Sequence, residues 1–244
     1  MKFQNFQNIG SEPALYNTEL DLLVISDLHL GLEGSMTSKG SYVPKFQLED
    51  IKEEIQTLQE ETEASRILVN GDLKNQYSTS YTEKQELDEF LKFLKNNFEE
   101  VILIKGNHDT ILDNTAEKHG IKLKDHYLED KILFTHGHMK IDNFEDLDFD
   151  TIVIGHEHPA LALTDDVGVK EKVDCVLYGE IKDGKNLIVL PAYSKISNGS
   201  EINNMPRNEF LCPILRENGV ANLKATVLSR EGGAFEFPKL SKIK

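Results

Sequence analysis

The sequence has no tryptophan and only two cysteines, Cys175 and Cys212. Two thiols without paired metal-site spacing weigh against a thiolate metal centre, and we expect core or near-surface thiols in a reducing compartment. Long apolar runs are missing too. None approaches the roughly 20 residues that a membrane helix needs. The opening stretch from Met1 to Asn8 has no apolar signal-peptide core, so a cytoplasmic location is the default expectation. Positive charge is scarce: 27 Lys and Arg stand against 42 Asp and Glu, a formal net charge of −15. Long-range attraction to a polyanion is therefore not built into the whole surface. Carboxylates that hold cations would reverse this locally.

What remains is an ordinary globular composition, 39% hydrophobic and 28% charged over 244 residues. A chain of this length buries roughly 70–75% of its unfolded surface. No repeat, low-complexity segment or linker divides it, so we expect a single domain over 1–244. Its first two-thirds alternates strand and helix. Asp21–Ile25, Arg66–Val69, Val101–Ile104, Lys131–Phe134 and Thr151–Ile154 are short apolar runs with strand character. Lys45–Glu63 and Thr82–Phe98 carry apolar residues at helical spacing. Such alternation predicts parallel βαβ units. The last third, with Val173–Tyr178, Leu187–Leu190 and Ala225–Leu228, reads as strands joined by turns. We expect it to form a second sheet packed on the first, with the N-terminal twenty or so residues and the Lys-rich C-terminus partly loose.

Five strands are each followed by metal-binding residue types. The endings are Ser26-Asp27-Leu28-His29, Asn70-Gly71-Asp72, Gly106-Asn107-His108-Asp109, Thr135-His136-Gly137-His138 and Gly155-His156-Glu157-His158. In open α/β sheets the carboxyl ends of strands border the ligand crevice, so one topological fact would gather all of these groups. Carboxylates mixed with imidazoles suit manganese, iron, zinc and similar divalent ions. Two ions about 3.5–4 Å apart need a shared ligand, and the two oxygens of Asp72 make it the natural bridge. Asp27 and His29 lie two apart, so in an extended chain they would point the same way and grip one ion; His156 and His158 repeat that spacing. Taken alone, Asp-x-His is a turn Asp beside a satisfied His, and Gly-Asp is common turn chemistry. All five in order, each at a strand end, outweigh those readings.

These blocks resemble the calcineurin-like metallophosphoesterase superfamily between Asp27 and His158. The flanks Ser26–Gly31, Val43-Pro44, Asn70–Lys74, Ile154–Pro159 and Leu190–Ser194 are similar to its SbcD-related, mostly archaeal branch. Asn75 departs from the branch, which often has His there. The resemblance implies a four-layer α/β/β/α sandwich of two mixed sheets flanked by helices, with the motifs within 21–160 and with 161–244 completing the second sheet. It implies two divalent ions, manganese first, with iron, zinc or nickel as alternatives. Asp27, His29 and His158 would hold one; Asn107, His136 and His156 the other; Asp72 would bridge. His136 is preferred to His138 as the ligand. The implied activity is hydrolysis of phosphodiesters, with DNA or RNA ends or small phosphoesters such as cyclic nucleotides as substrates. A non-catalytic binding module on the same fold is the remaining alternative.

His108 is expected to protonate the leaving oxygen, with Asp109 fixing its tautomer or instead capping a following helix. Asn107 and His108 would also touch substrate. Lys74 is either a phosphate contact or a surface lysine, and Glu157 is expected to be solvated. Lys39, Lys45, Lys195 and Arg207 are the basic residues of the loops expected to wall the crevice. His119 and His126 lie off the strand ends and read as surface or structural residues. An ATPase partner is not evident, and a homodimer through the C-terminal strands is conceivable.

Overall fold

In the computed structural model, residues 1–38, 40, 46–75, 81–141, 144–164, 167–229 and 232–243 are described. Val43, Pro44, Lys39 and Lys45, named above for the family resemblance and the crevice walls, lie outside these residues.

The first sheet runs in chain order: β1 (Lys2–Phe3), β2 (Phe6–Asn8), β3 (Leu15–Asn17), β4 (Leu22–Ile25), β5 (Arg66–Asn70), β6 (Glu100–Ile104) and β7 (Leu123–Lys124). β1 to β4 pair antiparallel, and β4 to β7 pair parallel. The opening residues are therefore an antiparallel extension of the sheet rather than a loose tail, and Phe6 and Leu15 are buried. The parallel pairs are crossed over by α1 (Leu32–Ser38) and α2 (Gln47–Thr62), then by α3 (Tyr81–Asn97), then by α4 (Asp113–Lys118).

The second sheet contains β8 (His126–Glu129), β9 (Ile132–Thr135), β10 (Thr151–Ile154), β11 (Pro159–Thr164), β12 (Lys170–Glu180), β13 (Asn186–Val189), β14 (Ser200–Glu201), β15 (Lys224–Ser229) and β16 (Gly233–Lys239). β9, β10 and β13 are parallel neighbours, whereas β12 pairs antiparallel with β11, β13 and β15. Both sheets are thus mixed, and helices flank them. The only helix on the outer side of the second sheet that exceeds a single 3-10 turn, among the described residues, is the short α5 (Pro213–Asn218).

Alternation along the strands divides three cores. Leu23, Ile25, Ile67, Val69 and Leu103 face Ile51, Ile55 and Leu58 of α2 and Leu87, Phe90, Leu91 and Leu94 of α3. Leu22, Val24, Leu68, Ile102 and Ile104 face the opposite way, onto Phe134, Val153, Val176 and Ile188 of the second sheet. The outer face of the second sheet, with Leu133, Ile152, Ile154, Leu177 and Val189, is covered by Phe149, Ile202, Phe210, Cys212, Leu215 and Leu240. Each fully buried side chain of this type contributes roughly 1.5–3 kcal/mol. Leu240 and Ile243 pack into that third core, so the C-terminus is anchored. Both cysteines are free and buried, as expected of core thiols. No helix among the described residues is long and apolar enough to cross a membrane.

Parallel β4, β5 and β6 of one sheet and β9 and β10 of the other all end at the same edge of the sandwich. That edge carries the five motifs.

Candidate metal centre

The turns after the strands are stitched together before any side chain acts. Asp27 N–H donates to Gly71 O at 3.0 Å, His29 N–H to Asp72 O at 3.0 Å, and Leu30 N–H to Leu73 O at 3.0 Å. The segment after β13 closes the other side: Tyr193 N–H donates to Ser26 O at 2.8 Å and Ser194 N–H to Asp27 O at 3.2 Å. Gln47, at the start of α2, donates from Nε2 to Leu28 O and to Ser194 Oγ. Glu33 Oε1 in turn accepts the N–H groups of Phe46 and Gln47 and so caps α2.

The backbone at the motif residues is unusual. Asp27, His29, Asp72, His156 and His158 all have positive φ, from 47° to 63°. Each such non-glycine residue costs on the order of 1–3 kcal/mol, which the surrounding stitching must offset. The extended geometry assumed for Asp-x-His is therefore wrong. In Gly-His-x-His the consequence is visible, because the turn sends His158 to one cluster and His156 to another.

Two clusters of ligand atoms result, each with its members within 4.8 Å of one another: Asp27, His29 and His158; and Asp72, His136 and His156. His158 Nε2 lies 2.9 Å from Asp27 Oδ1, and His136 Nε2 lies 3.3 Å from Asp72 Oδ2. Asn107 Oδ1 stands 3.2 Å from His136 Nε2 and so joins the second cluster. The clusters adjoin, with Asp27 Oδ1 of the first 3.9 Å from His136 Nε2 of the second.

Several features suit cations here. Asp27 Oδ1 is buried without an aligned hydrogen bond despite its short contact with His158. The Nε2 atoms of His29 and His158 face each other at 3.5 Å. Two lone pairs converging on one point are repulsive unless a proton or a metal lies between them. The Nδ1 of His136 donates to Asn70 O at 2.9 Å, which leaves its Nε2 lone pair for a metal. Burial would raise the Asp27 pKa, but His158, His136 and His29 outweigh it and hold the carboxyl below the usual range. Burial lowers His29 and His156 to about 4, so both are neutral donors near pH 7.

Three glycines make room for this packing. A Cβ on Gly71 would lie 2.3 Å from His136 Nδ1, one on Gly106 2.1 Å from Asp72 Oδ1, and one on Gly155 2.5 Å from Asp27 Oδ2.

His108 stands beside the clusters. Its N–H donates to Asp72 Oδ1 at 2.9 Å, and its Nδ1 donates to the Asn75 carbonyl. That carbonyl, and not Asp109, sets the tautomer. Asp109 is buried, and its two oxygens accept the N–H groups of Gly106 at 2.8 Å and Lys74 at 3.2 Å. It shapes the loop between strand end and ligand; α4 begins only at Asp113. Burial, followed by the nearby Asp72, pushes its pKa up to about 6.

Lys74, left open between a phosphate contact and a surface lysine, and Glu157, expected to be solvated, are both buried. Lys74 is 0% exposed, and burial lowers its pKa against the opposing pull of Glu83, Asp109 and Asp72. Glu157 is also 0% exposed, and its Oε2 accepts the Cys212 N–H at 2.9 Å. Lys195 pairs with Asp50 and Glu54, and Arg207 donates to the carbonyls of Arg216 and Glu217 at the end of α5. His119 meets Asp88 at 3.2 Å, a structural contact.

Ser26 and Asn70 had no role in the sequence reading. Ser26 Oγ lies 2.6 Å from Asp27 Oδ2. Asn70 Nδ2 donates to Thr135 O at 3.0 Å, joining the end of β5 to that of β9. The signal was available: each is a polar residue set directly between an apolar run and a ligand.

The family model for calcineurin-like phosphoesterase matches residues 20–221. The chain belongs to that family. The nuclease MPE of Pseudomonas putida shares the fold, with a TM-score of 0.63 and 16% identity over 96% of this chain and 100% of that one. Yfce, a phosphoesterase from E. coli, aligns with a TM-score of 0.43 and 18% identity over 72% of this chain and 83% of that one. No curated protein matches the chain. Membership agrees with the expected sandwich, and the five motifs of this family member meet at one edge of it.

Proposed function

We propose that the chain is a two-metal phosphodiesterase. The observation that carries this reading is the pair of adjoining candidate ligand clusters, in contact at Asp27 and His136, with the imidazole of His108 beside them. Asp27, His29 and His158 would hold one ion. Asn107, His136 and His156 would hold the other, with Asp72 bridging. Manganese is our first expectation, and iron, zinc and nickel share the donor preference. Bound there, the ions supply an activated water and stabilise charge on phosphoryl oxygens.

The chain's own groups do the rest. The Asn75 carbonyl keeps the His108 proton on Nδ1. Proton transfer to the leaving oxygen therefore runs through Nε2, which must carry a second proton when it acts as acid. Asn107 both holds metal and contacts substrate in this reading. Asp109 acts at one remove, by fixing the Gly106 turn that presents Asn107.

A nuclease acting on DNA or RNA ends in the cytoplasm is the favoured form, in keeping with the SbcD-related motifs and with the nuclease activity named for the P. putida structure. The net charge of −15 favours the second form, a phosphodiesterase of small nucleotides. The test is turnover of bis-p-nitrophenyl phosphate and p-nitrophenyl phosphate with added manganese, by wild type and His108→Ala. We expect diester cleavage that the substitution abolishes. No cleavage of either ester by protein carrying two metals per chain would sink the proposal.

A further inference from the structure

Two imidazoles flank the candidate centre without belonging to either ligand cluster. His108 packs against the first cluster, its ring centroid 5.3 Å from that of His29. His138 packs against the second, 5.2 Å from His136 and 5.9 Å from His156. Their anchoring differs. His108 is fixed through Nδ1 to a carbonyl, whereas the Nδ1 of His138 is buried with no hydrogen-bond partner. The tautomer with its proton on Nε2 leaves only a lone pair in that buried position. Nε2 is then the nitrogen that can meet a ligand.

The half-buried ring of His138 lines a groove of about 560 Å³ that opens beside Asn107. Lys105, Thr110, His126 and Lys140 form its other polar walls, with Asp125 as the one carboxylate among the described lining residues. His126, which the sequence left as a surface or structural residue, is thus part of it. Lys105 lies 3.6 Å from Asp113, and Lys140 pairs with Glu217; neither carboxylate lines the groove. Surface ion pairs of this kind are weak and yield to a better anion. On a chain with a net charge of −15, a groove whose described lining sets two lysines against one carboxylate, beside Asn107 and two imidazoles, is a locally more basic surface.

We propose that His138 is a substrate contact and that this groove receives the second ester arm of a phosphodiester, a nucleotide's sugar and phosphate. The preference for diester over monoester would arise here, since a monoester has no second arm to fill it. This rests on the phosphoesterase reading above.

The test compares manganese-loaded wild type, His138→Ala and His138→Gln on the p-nitrophenyl ester of thymidine 5′-monophosphate and on p-nitrophenyl phosphate. For His138→Ala we expect kcat/KM on the diester to fall roughly ten- to hundredfold, the loss of one hydrogen bond to a charged group. The fall on the monoester should be smaller, His138→Gln should recover part of the loss, and metal content should not change. Metal lost together with activity would make His138 a ligand and overturn the proposal; so would equal falls on both esters. If wild type cleaves neither ester, it is the phosphoesterase reading that fails. The groove is then tested by calorimetry with thymidine 5′-monophosphate. Binding weakened in His138→Ala supports it. Equal affinities, or no binding by wild type, overturn it.

Discussion

The two sheets contribute differently to the shared edge. The first supplies both carboxylates, Asp27 and Asp72, together with His29 and Asn107; the second supplies only imidazoles, His136, His156 and His158. Each ligand cluster draws on both. Negative charge is thus concentrated at the ends of one sheet and imidazole nitrogens at the ends of the other, and the two clusters combine them. The manner of support differs as well. The turns of the first sheet are zipped backbone to backbone, from Asp27 to Gly71 and from His29 to Asp72. The second sheet's turns have such a bond too, Gly155 N–H to His136 O at 3.0 Å, but are also tied by side chains, Glu157 to the Cys212 N–H and Asn70 of the first sheet to Thr135 O.

The comparison breaks most sharply at the carboxylates. Asp72→Ala removes the proposed bridge, one of the two candidate ligand carboxylates. We expect kcat/KM to fall on the order of 10²–10³-fold or more, with the second metal lost from the purified protein. Activity and metal content measured together decide this. Retention of both metals would mean that Asp72 is not needed to hold the second ion, contrary to the bridging role proposed for it.

His108→Ala sharpens the distinction between holding metal and moving a proton. A roughly 10²–10⁴-fold loss of kcat is expected with both metals retained. Parallel loss of metal and turnover would instead make His108 part of the metal's support.

How much of this was legible in the sequence follows from the same contrast. The strands and the order of ligands were readable because each buried apolar run ends abruptly in a polar group that a simple turn does not explain. The split of His156 from His158 came only from the family resemblance, since their spacing taken alone pointed both the same way. It depends on left-handed backbone at both residues, a conformation that ordinary residues reach only when tertiary contacts impose it. The burial of Lys74 was missed and Glu157 was misjudged because an isolated charged residue reads as exposed. Only the fold brings Glu83 and Asp109 to the first and the Cys212 N–H to the second. The N-terminal strands escaped notice because two- and three-residue segments carry too little periodicity to register.

A smaller effect is expected where the sheets are tied without a ligand. Asn70→Ala removes the side-chain bond to Thr135 but keeps the backbone carbonyl that orients His136. Loss of a buried bond should cost about 1–3 kcal/mol in unfolding free energy. Disturbing support behind a ligand should weaken metal binding about 10–100-fold. Denaturant titration with and without manganese separates the two effects. A variant destabilised without metal, but binding metal as tightly as wild type, would show that the second sheet's turn does not need this tie.

The smallest effect should come from Lys195→Ala. Lys195 follows Ser194, whose N–H holds the Asp27 carbonyl, and its ammonium is taken up by Asp50 and Glu54 on α2. The stitch across the seam is made by backbone groups, which the substitution leaves in place, so ligand geometry should not change. An ion pair at this partly exposed position contributes about 0–1 kcal/mol. We therefore expect a stability loss of less than about 1 kcal/mol and a kcat/KM within about twofold of wild type on a diester. A tenfold or larger loss of kcat/KM at full stability would place Lys195 in contact with substrate. That would shift the substrate path toward α2, away from the groove beside Asn107.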